Sequence, residues 1–227
     1  MVLARRPPEP SEVVYPDSDG QPMSDNTLQY EWIVLLKENI DSLIDGFVAG
    51  DLLWYPVEGN PKIRIGPDVL VAPERPKGYR GSYMQFREGG IAPKVVVEVL
   101  SPNNTLAEML RKTLFYQRYE AHEILIIDPD NEVGWVYVRG DDGTYTEVNP
   151  IDGWTSPTLG IRFVRDGSRL VVLRPDGERF ISFGELMSRA NANAERAEQE
   201  AARADSEAAR VRRLEDQLRA LGIDPEA

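Results

Sequence analysis

The sequence has no cysteine and a single histidine, His122. The lack of cysteine excludes disulfides, thiolate zinc sites and a cysteine nucleophile, and the lone imidazole excludes any site that needs two. No apolar run approaches the ~18 residues that a membrane span requires. The N-terminal segment, which is rich in proline and arginine, lacks the apolar stretch of a signal peptide. We therefore expect a soluble, cytoplasmic protein with no membrane partner.

Positive charge is also scarce. The 227 residues include 26 Lys and Arg against 38 Asp and Glu, which gives a net charge of −12. This net negative charge argues against a protein that binds nucleic acid through a broad basic surface. The deficit is uneven, because residues 74–118 hold eight basic side chains and four acidic ones. That stretch therefore carries a local net charge of +4 within an acidic chain.

Composition divides the chain into three parts. Residues 1–24 are rich in Pro, Asp, Ser and Gly and predict an extended N-terminal arm. Residues 25–184 mix helical and strand patterns and predict one α/β (α+β) domain that ends in a β-rich extension. Residues 185–227 are rich in Ala, Glu and Arg and predict a C-terminal helix.

The C-terminal part has apolar residues at alternating intervals of four and three, which is typical of a coiled-coil seam. The seam consists of Ala190, Ala194, Ala197, Ala201, Ala204, Ala208 and Val211. It slips at Leu214, resumes at Leu218 and Leu221, and is expected to end at Gly222. An alanine seam buries little area, so the alternative is a solvated single helix.

Within residues 25–184 the order is helix, three strands, helix, strand and a series of hairpins. A capping box at Asn26 starts the first helix, which is expected to reach about Ile44. Strands are expected at 47–57, 62–72 and 94–100. Thr105 caps a second helix to about Tyr119, and another strand follows at 124–127. Short strands separated by Asp-Gly turns then predict hairpins over 133–182.

Two acidic residues occupy apolar strands. Glu98 lies inside a run of valines, and Asp68 immediately precedes Val69-Leu70-Val71. A buried carboxylate costs several kcal/mol unless it is paired, protonated or bound to a cation. A pair on neighbouring strands, without His or Cys nearby, suits Mg²⁺. Hydrogen-bonded core or strand-end carboxylates explain the pattern equally well.

Other charged residues have less distinctive positions. Lys112 follows Thr105 by seven residues on the second helix, and pairing with Glu108 is its simplest explanation. Glu31 and Glu38 share one face of the first helix, where such residues are mostly solvated. Asp51 is either a strand-end cap or a third carboxylate.

Several motifs together resemble the Uma-two family, whose members are predicted endonucleases of the restriction-endonuclease-like PD-(D/E)xK superfamily. The main pieces are Pro67-Asp68, Glu98-Val99-Leu100-Ser101-Pro102, Lys112 on the next helix, and Ile127-Asp128-Pro129. Further pieces, at residues 15–20, 54–59 and 75–78, look like one subgroup. The resemblance spans about residues 13–184.

This resemblance implies a central mixed sheet flanked by helices, with Asp68 and Glu98 side by side on adjacent strands. It further implies that Asp68, Glu98 and the main-chain carbonyl of Val99 hold Mg²⁺, for which Mn²⁺ can substitute. In the superfamily the metal is a Lewis acid that lowers the pKa of bound water, and a lysine stabilises the developing phosphorane charge.

The sequence departs from the superfamily pattern at one position. The usual lysine lies two residues after the Glu, where this chain has Leu100. The resemblance assigns the role to Lys112 instead, because a long side chain from a neighbouring helix can bring its ammonium to the same point. A first-helix glutamate also approaches the metal in many members, and Glu38, followed by Glu31, is the candidate here.

These implications predict a Mg²⁺-dependent endonuclease that hydrolyses DNA phosphodiester bonds, with residues 74–118 meeting the phosphates. A homodimer is expected, since superfamily nucleases often act as dimers to cut both strands. The alternative is a catalytically inactive nuclease-fold module that binds or assembles through its C-terminal helix. The missing strand lysine and the acidic body favour that alternative. Nuclease chemistry on RNA is a third possibility that the sequence does not discriminate.

Overall fold

The computed structural model describes residues 13–20 and 23–220. It divides into two units with the boundary between Phe180 and Ile181, close to the expected change at 184. The expected arm over 1–24 lies partly outside the described residues, and the expected helix end at Gly222 lies wholly outside them. No helix in the described ranges is long and apolar enough to cross a membrane.

The described part of the first unit contains two α-helices and short strands in mixed order. The helices are α1 (Thr27–Leu43) and α2 (Leu106–Arg118). The strands are β1 (Phe47–Gly50), β2 (Trp54–Tyr55), β3 (Val69–Ala72), β4 (Tyr83–Met84), β5 (Val95–Val99), β6 (Glu123–Asp128), β7 (Val133–Arg139), β8 (Tyr145–Val148), β9 (Arg162–Asp166) and β10 (Arg169–Leu173). A short 3₁₀ helix, Gln85–Arg87, follows β4.

Six strands form the central sheet in the order β1-β3-β5-β6-β7-β8. The β5–β6 pair is parallel and the other neighbours in this sheet are antiparallel. A parallel pair needs a crossover connection, and α2 supplies it. Strands β9 and β10 form a separate hairpin, and β2 pairs with β4. The predicted α/β class with a mixed sheet and a β-rich extension is confirmed.

Two predicted strands are shorter in the structure. The expected strand 47–57 is divided by Asp51, whose φ of 46° lies in the left-handed region and interrupts the extended backbone. Of the expected strand 62–72, only Val69–Ala72 joins the sheet. Gly66 and Pro67 precede it, and proline has no amide hydrogen to donate to a ladder.

Successive side chains of β5 point to opposite faces of the sheet and pack in two separate cores. Val95, Val97 and Val99 pack with Trp32, Ile33 and other residues of α1. Val96 packs on the opposite face with Tyr116 of α2. Because successive strand residues point to opposite faces, Glu98 projects to the α2 face. The sheet therefore presents one carboxylate to the helix that follows β5.

Both helices of the first unit start with the caps that the sequence predicted. The Asn26 side chain accepts from the amide of Gln29, and the Thr105 side chain accepts from the amide of Glu108. These bonds satisfy donors that lack an intrahelical partner. The caps therefore fix the residues at which α1 and α2 begin.

The second unit is a single helix, α3 (Phe183–Ala220). Ser182 and Glu185 form a capping box, with the Glu185 amide donating to Ser182 Oγ at 3.2 Å and the Ser182 amide donating to Glu185 Oε2 at 2.9 Å. Most described side chains of α3, including the predicted alanine seam, are exposed. Leu221, the last position of that seam, lies outside the described residues.

We expect the α1 side of the core to tolerate truncation poorly. Leu36 is fully buried among sheet residues, so Leu36→Ala should lower the free energy of unfolding by about 2–5 kcal/mol in a denaturant titration. Glu31→Ala, an exposed substitution on the same helix, should change it by less than about 0.5 kcal/mol. Equal effects of the two substitutions would contradict this assignment of the buried face.

Candidate functional site

The pairing of β1, β3 and β5 places three carboxylates in one row that runs across the ends of these strands. Val69 pairs with Val97 and with Gly50, so the next position along β3 places Asp68 between Asp51 and Glu98. The amide of Asp51 donates to the main-chain oxygen of Asp68 at 3.1 Å. Directly opposed residues of antiparallel strands share a face. The three acids therefore lie toward α2.

Glu98 is the most enclosed of these acids, with 3% of its surface exposed. Lys112 Nζ donates to Glu98 Oε2 at 2.7 Å, and the Tyr116 hydroxyl donates to Glu98 Oε1 in a short hydrogen bond. Lys112 and Tyr116 are four residues apart and so project from the same face of α2. Lys112 thus bonds to Glu98, whereas pairing with Glu108 was its simplest explanation from spacing.

Asp68 contacts the residue that follows Glu98. Its Oδ2 accepts from the Val99 amide at 2.6 Å. The Lys112 ammonium also donates to the carbonyl of Gly66, two residues before Asp68, at 3.4 Å. Asp68, Glu98, Val99 and Lys112 are therefore brought together, as the resemblance implied.

Burial and mutual repulsion disfavour the charged forms of the acids. Burial, and then the charge of Glu98, raise the pKa of Asp68 well above its ordinary value, although Lys112 and the Val99 amide oppose this. Burial likewise raises the pKa of Glu98 against the effect of Lys112. Burial alone would lower the pKa of Lys112, but the charges of Glu98 and Asp68 outweigh it and raise that pKa. Lys112 is therefore held as an ammonium.

The first helix contributes an amide to the site. Gln29, only 6% exposed, donates from Nε2 to the Val99 carbonyl oxygen at 2.7 Å and accepts from the Asp25 amide at 2.8 Å. Sequence reasoning treated Gln29 as part of a capping box. A signal was present, since Gln29, Ile33, Leu36 and Ile40 form one buried helical stripe, in which a polar residue is unusual.

The structure does not bring Glu38 to this site. Its side chain is largely exposed and pairs with Lys37 Nζ at 2.9 Å. Glu31 is exposed as well, and neither glutamate lines the cleft in front of Asp68. The reason is helical phase, because the buried stripe that starts at Gln29 faces the sheet and both glutamates lie off it.

A cleft of about 330 Å³ opens in front of Asp68. The acidic residues that line it are Asp19, Asp25, Asp51, Asp68 and Glu108, and the basic ones are Arg64, Arg111 and Lys112. Burial, and then the charge of Asp19, raise the pKa of Asp51. Arg64 lies outside the predicted basic stretch, and sequence reasoning did not single it out.

Much of the predicted basic stretch is neutralised within the protein. Lys77 pairs with Asp41, Arg80 with Glu88, Lys94 with Glu74 and Lys112 with Glu98. Of the remaining arginines of residues 74–118, Arg111 lines the cleft. Contact with phosphates at the site would therefore depend on Arg111 and Arg64 more than on residues 74–118 as a whole.

The donors present suit an oxygen-coordinated divalent cation. Within residues 13–20 and 23–220 no group of three or more His, Asp or Glu side chains is close enough to hold a metal by itself. However, ionised Asp51, Asp68 and Glu98 against one Lys112 leave two uncompensated negative charges. Each oxygen of Glu98 and the Val99 carbonyl oxygen already accept a hydrogen bond, but such oxygens have a second lone pair. Their chemistry therefore fits Mg²⁺.

The raised pKa of Asp68 predicts a pH-dependent effect of removing its charge. A raised folded-state pKa means that stability is lost as the pH rises through it, so Asp68→Asn should raise the melting temperature near neutral pH. The gain should vanish below about pH 4, where the unfolded chain is protonated too. Thermal melts across pH measure this, with the exposed Asp141→Asn as control. A lower melting temperature at every pH would contradict it.

Comparison with known proteins identifies the family. A family model described as "Uma2: Putative restriction endonuclease" matches residues 21–163. Among solved structures, "a putative nuclease belonging to DUF820" from Anabaena variabilis ATCC 29413 is 15% identical, with a TM-score of 0.41, over 59% of this chain and 72% of that one. No curated protein matches the chain. The family model covers more than half of the chain, so the predicted resemblance is confirmed, a nuclease-type function on DNA is supported, and the protein belongs to the Uma2 family.

Proposed function

We propose that the protein is a Mg²⁺-dependent endonuclease that hydrolyses DNA phosphodiester bonds, with Mn²⁺ as a substitute ion. The observation that supports this is the convergence of Asp68, Glu98 and Lys112 from β3, β5 and α2 at one cleft. Asp68, Glu98 and the Val99 carbonyl would hold the ion. When bound, it would supply Lewis acidity and a lowered pKa for water.

Lys112 is proposed to stabilise charge in the transition state. Its ammonium is fixed between Glu98 Oε2 and the Gly66 carbonyl, so it needs little reorganisation to interact with a developing phosphorane charge. Leu100, at the usual lysine position, lines a separate groove. The observed contact supports the helix lysine as its replacement.

Gln29 and Tyr116 are proposed as positioning residues. Gln29 holds the Val99 carbonyl, and the Tyr116 hydroxyl holds one oxygen of Glu98. Gln29 therefore takes the place of Glu38 as the contribution of α1 to the site. It provides orientation without adding a further negative charge to the row of acids.

Binding of DNA is proposed to be weak and sensitive to salt. The cleft contains more acids than bases, so phosphate contacts would come from Arg64 and Arg111 and be assisted by the ion. A homodimer, which would present one cleft to each strand of a duplex, is part of this proposal.

One observation favours a second function, a catalytically inactive module. Both oxygens of Glu98 have partners within the protein, Lys112 and Tyr116. Such a closed network can stabilise a core without any ion. In this alternative the nuclease fold is a scaffold, and α3 serves in binding or assembly.

Cleavage assays test the first proposal directly. With Mg²⁺ or Mn²⁺, the protein should cut one or more of supercoiled, linear and single-stranded DNA, and RNA should be tested in parallel. Asp68→Ala should abolish cleavage, and Lys112→Ala should lower the rate about 10²–10³-fold, the usual loss for one transition-state donor. The exposed Glu58→Ala serves as control. Cleavage that survives Asp68→Ala, or no cleavage of any substrate, would contradict the proposal.

The two functions also differ in how metal affects the Lys112→Met variant. Removing the ammonium leaves Glu98 buried without its cation, so the free energy of unfolding should fall by about 3–5 kcal/mol. If the site binds Mg²⁺, added Mg²⁺ should restore part of the loss, and calorimetry should detect binding that Glu98→Gln weakens. Leu36→Ala is a matched destabilised control that Mg²⁺ should not restore selectively. Absence of both binding and rescue would favour the inactive module.

A further inference from the structure

The outer face of α2 carries an exposed row of leucines. Leu106, Leu110 and Leu114 are 87%, 56% and 55% exposed. Their spacing of four residues places them in one line along the helix, the i±4 ridge that packs against other helices. Single exposed leucines are ordinary, whereas an aligned row forms a continuous apolar ridge of the kind that protein interfaces use.

A groove adjoins the N-terminal end of this ridge. It has a volume of about 390 Å³ and is lined by Leu106 together with Leu100, Met109 and Trp135. Asp130, which is exposed, lies among its lining residues. The same surface therefore offers an apolar ridge, an apolar recess and an acidic group at the recess.

We propose that this surface binds the same surface of a second copy of the chain, with the two α2 helices antiparallel about an axis near Leu110. Leu106 and Leu114 lie about 12 Å apart along the helix, equidistant from Leu110. An antiparallel arrangement therefore brings Leu114 of each copy to Leu106 and the groove of the other. A two-fold interface requires such self-complementarity.

The charged residues of this surface favour a second copy of the chain as its binding partner. Arg118 lies one turn beyond Leu114, so the same two-fold axis carries it past Leu106 toward the groove that Asp130 helps to line. Within the described part of the chain Arg118 contacts the Tyr119 ring and forms no ion pair, and Asp130 forms none either. The arrangement would thus create two Arg118–Asp130 pairs.

The proposed interface is small; it deepens the homodimer part of the proposed function and does not involve the Glu98 network. A ridge of three leucines with one groove falls at the low end of specific interfaces, which usually bury about 800 Å² per partner, so we expect association that depends on concentration. Lys112 and Tyr116 project from the opposite side of α2 toward Glu98. Dimerisation can therefore be tested whether or not the protein cuts DNA.

The absence of cysteine makes crosslinking the sharpest test. Leu110→Cys should form an intermolecular disulfide on mild oxidation, because the two copies of residue 110 lie near the axis. Mixing Leu106→Cys with Leu114→Cys should give a crosslink between the two variants faster than either forms alone. Tyr79→Cys, at a residue 94% exposed, measures random collision. Equal rates for Leu110→Cys and Tyr79→Cys would overturn the proposal.

Sedimentation of the full chain provides the second measurement. The wild type should approach twice 25.6 kDa as concentration rises, and Leu110→Glu should remain a monomer with an unchanged circular dichroism spectrum. Leu214→Glu, at a half-exposed leucine of α3, should still dimerise. Arg118→Asp should weaken association, and adding Asp130→Arg should restore it. A monomeric wild type, or a dimer lost in Leu214→Glu but kept in Leu110→Glu, would overturn the proposal.

Discussion

The burial of one carboxylate constrains much of this structure. Glu98 is enclosed in β5, one of the two central strands of a hydrophobic sheet, where an unpaired charge would cost several kcal/mol. The Lys112 ammonium and the Tyr116 hydroxyl satisfy it, and this requires α2 to lie across the face of the sheet with one particular side inward. The position of the helix, the exposure of its leucines and the shape of the cleft all follow from that requirement.

Around Glu98 the site is built by ordinary rules of strand pairing. The register of β1, β3 and β5 aligns Asp51, Asp68 and Glu98, and the alternation of side chains turns them toward the same helix. The overall charge of −12 is therefore partly concentrated where it attracts a cation. A divalent ion would balance the acids that one lysine leaves uncompensated, so an acidic protein can still act on a polyanion.

The helices, the main strands and the unusual positions of Asp68 and Glu98 were predictable from the sequence, because they rest on short-range signals, whereas the mixed sheet and the adjacency of the two acids were implied by the family resemblance. The valine run around Glu98, the Asn26 and Thr105 caps and the apolar stripe of α1 indicate local structure directly. The partner of Lys112 was not predictable from spacing, since Glu108 and Glu98 are both reasonable and only the docking of α2 decides between them. Gln29 and Glu38 lie on different sides of α1, and only Gln29 faces the sheet. The choice of Glu38 from the sequence did not take this helical phase into account. The ion pairs that neutralise Lys77 and Arg80 depend on loops whose paths the sequence does not specify.

The crossover position of α2 has a consequence for folding. Lys112 follows Glu98 by only 14 residues, whereas Gln29 and Asp68 reach β5 from segments that are distant in the chain, and the Gln29–Val99 bond joins residues 70 positions apart. Contacts of such separation form late, after loop-closure entropy has been overcome. Burying Glu98 is unfavourable until Lys112 arrives, so β5 and α2 are expected to join the native structure in one cooperative step. The cleft would then exist only in fully folded molecules, and partly folded chains would lack the arrangement proposed to cut DNA.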